Sequence, residues 1–169
     1  MKQRVVLSIF FIIVFASAFG QSRQTINSLV QYVEQADSLA NKGQRTFNLV
    51  KIGRSNDGLK ETWHYTTRNG KVIVFQVRYT IDSIEFTEVY YVNSDRLICS
   101  EEYETVYLPE DDELKFGGIC YFDNNDVIQN ITLGRRSRPT PRLDEKHLTL
   151  DRFRNRYAEL RENLVARNP

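Results

Sequence analysis

Few residues in this chain are of types that do chemistry, and their spacing is uneven. The two histidines, His64 and His147, ordinarily titrate nearest neutrality, and they stand far apart in sequence. A histidine base needs an orienting partner within hydrogen-bond reach. His64 falls on the opposite side of a strand from Trp63, and His147 on the extended stripe of a C-terminal helix, so both read as surface or packing residues. The densest acidic stretch is Glu101, Glu102, Glu104, Glu110, Asp111, Asp112 and Glu113. Two carboxylates fixed about 5–10 Å apart across a cleft can hydrolyse glycosides. Alternating strand positions followed by a loop do not fix such a pair, and the stretch reads as solvated charge. Asp123-Asn124-Asn125-Asp126 offers oxygen ligands without the spaced acids, Gly and terminal Glu of a calcium loop, so a hairpin turn accounts for it. The sequence shows no zinc-ligand cluster, no Gly-x-Ser-x-Gly elbow, no phosphate loop and no dinucleotide glycine pattern. The expectation is a protein without catalytic residues, metal or cofactor.

The remaining chemistry is thiol chemistry. Cys99 and Cys120 are the only cysteines. A fold-back near residue 110 would set them on neighbouring antiparallel strands, where facing Cα atoms lie about 4.5 Å apart, within disulfide range. A bridge closing a loop of about 20 residues would contribute roughly 3 kcal/mol in the chain-entropy model. The alternative is two buried thiols acting as small hydrophobes.

These residues are positioned by a short list of elements. Ile26, Leu29, Val30, Val33, Ala36 and Ala40 recur at helical spacing, with Ser22 or Thr25 as the start and Gly43 at the end. From about Thr46 the period falls toward two, and turn signals follow at Ser55–Gly58, Arg68–Gly70, Asn93–Asp95 and Asp123–Asp126. Strands are expected near 46–53, 59–67, 71–80, 84–92, 96–107, 114–122 and 127–133. Asx-rich turns between them make a meander. Tyr65–Ile73, Tyr91–Ile98 and Tyr121–Ile128 each run from an aromatic through an Asx turn to an aliphatic pair, as a repeated hairpin would. Arg135–Arg142, with its two prolines, reads as a linker, and Leu150, Phe153, Tyr157, Leu160 and Leu164 form the stripe of a last helix starting near Leu143 or Thr149. Arg152, Arg154, Arg156 and Arg161 are expected on its solvated side.

Unbroken alternation assigns the sheet faces. Trp63, Tyr65, Ile73, Phe75, Tyr90, Leu97, Cys99, Tyr103, Leu114, Phe116, Cys120, Phe122, Ile131 and Leu133 fall among the set expected to be the core. The second face carries Val89, Tyr91, Ile119 and Tyr121 among polar residues. It is either covered, by a terminal helix or by sheet curvature, or it is a binding patch for a partner or ligand.

The start of the chain reads as an address. Lys2 and Arg4 precede the apolar run Val5–Phe15, and Ala16–Gly20 supplies small residues, the order of a secretory signal peptide cut before Gln21. An uncleaved anchor is the alternative. The chain has 169 residues, 23 basic and 22 acidic for a net +1, with 41% hydrophobic residues, a balance that gives no strong pull toward nucleic acid. Asn130-Ile131-Thr132 is a glycosylation sequon.

Tyr-Tyr-Val-Asn-Ser-Asp-Arg-Leu-Ile (residues 90–98) and Cys-Tyr-Phe-Asp-Asn-Asn-Asp-Val-Ile (residues 120–128), preceded by a helix, resemble a group of small secreted bacterial proteins built on repeated aromatic, turn, aliphatic hairpins. The likeness covers about Ile26 to Leu133 and implies no activity, cofactor or catalytic residue. The combined expectation is an α+β fold: one antiparallel meander sheet of six or seven strands flanked by N-terminal and C-terminal amphipathic helices. The chain would be periplasmic or secreted, with no membrane span once its signal is removed. It would serve as a non-catalytic binding module for an envelope or extracellular protein or a small ligand. The alternatives are an assembly component using a sheet edge and a carboxylate- or His-dependent hydrolase.

Overall fold

The structure, a computed structural model, describes residues 25–52, 58–107, 112–137 and 145–167. The expected signal peptide, the turn residues 55–57, the acids Glu110 and Asp111 and linker residues 138–142 lie outside them. Helix α1 spans residues 25–43. Seven strands follow: β1 (Arg45–Ile52), β2 (Gly58–Arg68), β3 (Lys71–Ile81), β4 (Ile84–Asn93), β5 (Arg96–Tyr107), β6 (Asp112–Asp123) and β7 (Asp126–Gly134), then helix α2 (Glu145–Arg167). The strands form one sheet in the order β1-β2-β3-β4-β5-β6-β7, every neighbouring pair antiparallel. The expected α+β meander with a helix at each end is the observed architecture.

Three hairpins share one backbone design. Asn69-Gly70, Ser94-Asp95 and Asn124-Asn125 all have positive φ at both central residues, the requirement of the tight turn whose twist matches antiparallel strands. Next to each turn pair Thr67 and Val72, Val92 and Leu97, and Phe122 and Val127. One residue is then extra, Ile73, Ile98 or Ile128. Pairing resumes at Thr66 and Val74, Tyr91 and Cys99, and Tyr121 and Gln129. The repeat is thus a turn followed by a β-bulge, and Thr66, not Tyr65, occupies the place of Tyr91 and Tyr121.

Each bulge reverses the faces beyond it, because an inserted residue shifts a period of two by one. Leu97 therefore packs with Trp63, Phe75, Tyr90 and Phe122 on the side covered by Leu150, Phe153 and Leu160 of α2. Cys99, two residues on, packs with Val33 and Ala36 of α1 on the other side, together with Ile73, Val74 and Tyr91. Unbroken alternation had grouped Ile73 and Cys99 with Trp63, and the bulges overturn that grouping. The α2 side holds the larger core. Its centre is a row of rings across the sheet, Phe47–Trp63 at 5.7 Å, Trp63–Phe75 at 6.2 Å and Phe75–Tyr90 at 4.9 Å between centroids, capped by Phe153 and Tyr157.

The same phase change removes the disulfide. Cys99 pairs with Tyr121 and Cys120 with Ser100, so the cysteines are one register step apart on adjacent strands and point to opposite faces. Cys120 packs against the α2-side core and Cys99 lies in the α1-side core, and no bond joins them. Among the described residues no helix is long and apolar enough to cross a membrane.

Candidate functional site

Four glutamates on β2, β4 and β5 point into the α2 side and are buried: Glu61, Glu88, Glu102 and Glu104. A buried carboxylate is costly unless charge and hydrogen bonds meet it, and here they do. Arg156 of α2 donates from Nε to Glu88 at 2.9 Å and from Nη1 to Glu61 at 2.8 Å. Tyr79 and Tyr90 donate their hydroxyls to the two oxygens of Glu88, and Trp63 Nε1 donates to Glu61 at 3.0 Å. Arg136 and Arg152 both reach Glu102, and the Ser137 amide donates to Glu104 at 2.6 Å. Lys51 lies 3.1 Å from Glu61 and 2.8 Å from Glu159.

This web corrects two expectations. Glu102 and Glu104 are not solvated charge, and Arg152 and Arg156, one helical turn apart, lie along the flank of the apolar stripe and turn inward. Arg136, expected in a linker, stacks over the Phe116 ring at 4.2 Å while holding Glu102. Burial pushes the Tyr90 hydroxyl well above its ordinary range, with the Glu88 charge adding to it, so Tyr90 serves as a fixed donor. With their oxygens committed to cations and fixed donors, these carboxylates act as a clamp between helix and sheet.

The residues expected to bind a partner lie together on the α1 side. Tyr91 is buried, Val89, Ile119 and Tyr121 are half-buried, and all four pack in the cluster that receives Val33 and Ala36 of α1. Tyr91 donates its hydroxyl to Asp37 of α1 at 2.9 Å, and Tyr32 donates to the Val92 carbonyl. The terminal helix therefore covers this patch, the covered alternative of the sequence reading.

Among the described residues, α1 packs on the part of the face near the bulged hairpins. Beyond it Tyr103 donates to Glu101 at 2.9 Å. Burial pushes the Glu101 carboxyl above its ordinary range; the Tyr103 bond opposes the rise and the Asp37 charge adds to it. On the β2–β4 flank the uncovered face is polar, a shallow hollow of about 510 Å³ lined by Lys60, Thr62, His64, Arg78, Thr80 and Glu85. His64 Nδ1 meets Thr46 Oγ1 at 2.8 Å, and its pKa is lowered by partial burial and then by Arg78. A cation beside the ring opposes the imidazolium a general base must form. His147 is exposed on α2.

On the β5–β7 flank the uncovered face is apolar. Thr105 pairs with Leu114, Tyr103 with Gly117, Ile119 with Ile131 and Gly117 with Leu133, so these residues share a face. Tyr103 and Leu114 close over Gly117, where an added Cβ would meet them at 3.6 and 3.8 Å. Leu114, Ile131 and Leu133 are 47%, 51% and 68% exposed. Sequence reasoning placed all three in the core, because it carried the period of two through the bulges at Lys115 and Ile128. Aliphatic residues left outside by such a shift are the signal that locates the patch. Among the described residues no three His, Cys, Asp or Glu side chains are arranged to hold a metal ion. Comparison with family models, curated proteins and solved structures returns no match.

Proposed function

We propose that this chain is an exported, non-catalytic binding module that engages an envelope or extracellular protein through the uncovered β5–β7 flank of its α1-side face. The observation that carries this reading is the asymmetry of the two faces. α2 closes its side with a neutralised glutamate web and a ring-stacked core, whereas α1 leaves Leu114, Ile131 and Leu133 in water beside Tyr103. Contiguous apolar exposure with an aromatic in it is the composition of an interaction surface. Export is supported by the charged, apolar, small-residue order of Lys2 to Gly20.

The test is capture from envelope extract with the exported chain as bait. A partner should be recovered by the native chain, lost with Leu114→Glu and Leu133→Glu together, and retained with Val165→Glu, an exposed change on α2. Equal recovery by all three would refute the assignment of this face.

A second reading, an assembly component that works through a sheet edge, is favoured by the composition of β7. From Val127 to Gly134 this edge strand carries no charge.

A further inference from the structure

Edge strands normally carry guards against pairing, in the form of charges, prolines or bulges. The two edges of this sheet differ in that respect. β1 has Arg45 at its start and Lys51 near its end, with the Lys51 ammonium drawn over the Trp63 ring at 5.9 Å and onto Glu61. A basic residue near each end of β1 is a guard of this kind. β7 has Asp126 at its first position and is uncharged thereafter. Its bulge lies at Ile128, and Gly134, at φ +75, ends it, since a Cβ there would sit 2.0 Å from the Lys115 carbonyl oxygen. Between these two irregularities runs a regular segment, Gln129 to Leu133, with Ile131 at its centre.

We propose that β7 pairs antiparallel with β7 of a second copy of this chain, about a two-fold axis centred on Ile131. A closed dimer requires a self-complementary contact. Pairing about this axis sets Ile131 opposite Ile131 of the second copy, and Gln129 opposite Leu133. It uses the whole regular segment and brings no like charges face to face between Gln129 and Leu133. A shift in either direction would drive the bulge or the glycine into the ladder. The two uncovered apolar flanks then adjoin across the new ladder and form one platform. In this respect the inference rests on the binding role proposed for that flank. A five-residue ladder is a small contact, at the low end of the range for specific interfaces, so the dimer forms at high concentration and dissociates on dilution.

The test is sedimentation of the full exported chain from micromolar to millimolar concentration. The native chain should pass from monomer to dimer. Ile131→Lys places two ammonium groups opposite each other and should weaken association roughly tenfold or more. Val50→Lys, on the exposed face of β1, should leave it unchanged. Ile131→Cys provides a second measurement that does not depend on a destabilising change. Facing Cα atoms in an antiparallel pair, at about 4.5 or 5.5 Å, both fall within disulfide range, so this variant should oxidise to a reducible dimer while Val50→Cys does not. Monomer throughout the concentration range, a dimer indifferent to Ile131→Lys, or a dimer lost with Val50→Lys would overturn the proposal. A monomer that still captures a partner through Leu114 and Leu133 would refute self-pairing alone. A dimer that captures nothing would refute the binding reading alone.

Discussion

Arg156 and Glu88 meet between α2 and the fourth strand with 2.9 Å separating Nε from Oε2, and their side chains are only 13% and 5% exposed. The same guanidinium reaches Glu61 at 2.8 Å and lies 5.6 Å from the centroids of both the Trp63 and Tyr79 rings. One planar fork thus ties α2 to β2 and β4 at once. Arg156→Ala leaves two buried carboxylates without this cation, a change that costs about 3–5 kcal/mol in comparable buried pairs. At this chain length that lowers the midpoint of thermal unfolding by on the order of 10 °C. Arg156→Lys retains the charge but not the fork, and should recover part of the loss. Calorimetry of the three proteins checks the order native, Lys, Ala.

The opposed cysteines give a second prediction. Intact mass should not change on reduction, because Cys99 and Cys120 face different cores. Native-state alkylation should spare Cys99, which is fully buried. Burial pushes its thiol far above the ordinary range, with the Glu101 charge next in effect, and a thiol held protonated is a poor nucleophile. Modification of Cys99 should appear only under unfolding conditions. Rapid labelling of Cys99 in the native protein would contradict the packing of α1 over it.

Element positions were legible in the sequence because they depend on local signals. The expected strands differ from the observed ones by at most two residues at either end. Much of the α2-side face was legible, Phe75, Val77, Tyr90, Val92, Leu97 and Phe122 included, whereas Ile73, Cys99, Leu114, Ile131 and Leu133, at or beyond a bulge, were set on it wrongly. An Ile inserted after a turn looks like its neighbours in sequence, so nothing local marks Ile73, Ile98 and Ile128 as the residues that reset the phase. The glutamate web was hidden for a different reason. Glu102 and Glu104 read as surface residues until Arg136, Arg152 and the Ser137 amide, distant in sequence, come over them. The fourth turn of α2 gave one hint, Arg156 beside Tyr157 on the stripe, where an outer face and an inner face are a single residue apart.

Glu101 supplies a pH prediction. Its folded-state pKa is raised by burial, the Tyr103 hydrogen bond opposing and Asp37 adding. The folded state therefore binds this proton more tightly than the unfolded chain. Its contribution to stability is fully present below the unfolded pKa, about 4.3 for a glutamate, and is lost as pH rises through the folded value. Glu101→Gln keeps an acceptor for Tyr103 and removes the ionisation. Denaturant midpoints should show the variant gaining on the native chain as pH rises from 4 toward neutrality, with the difference constant thereafter. A gain that instead grows toward acid pH would show the carboxylate to be stabilised in its charged form.

The glycine that ends β7 can be tested directly. Gly134 combines φ +75 with a Cβ position 2.0 Å from the Lys115 carbonyl oxygen, while Arg135 donates its amide to that same oxygen at 3.0 Å. Gly134→Ala must move backbone on β6, and a strain of about 1–3 kcal/mol is expected from the left-handed conformation alone. Gly43→Ala, where an added Cβ meets nothing within 4 Å, is the control. Thermal midpoints should fall for the first and hold for the second.

The last prediction concerns how firmly α1 is held. Its buried contribution is Val33 and Ala36, and two hydroxyls anchor it, Tyr91 onto Asp37 at 2.9 Å and Tyr32 onto the Val92 carbonyl. This is a lighter attachment than the web under α2, so α1 should open at lower free energy than the sheet. Tyr91→Phe keeps the ring packed against Ile73 and Val74 and removes one bond to a charged acceptor, worth about 1.5–3 kcal/mol. Hydrogen exchange should quicken across residues 25–43 while the amides of β3 and β4 keep their protection, because the loss falls on a local opening. Equal acceleration in helix and strands would mean that α1 and the sheet unfold as one unit, and that the lighter anchorage has no separate consequence.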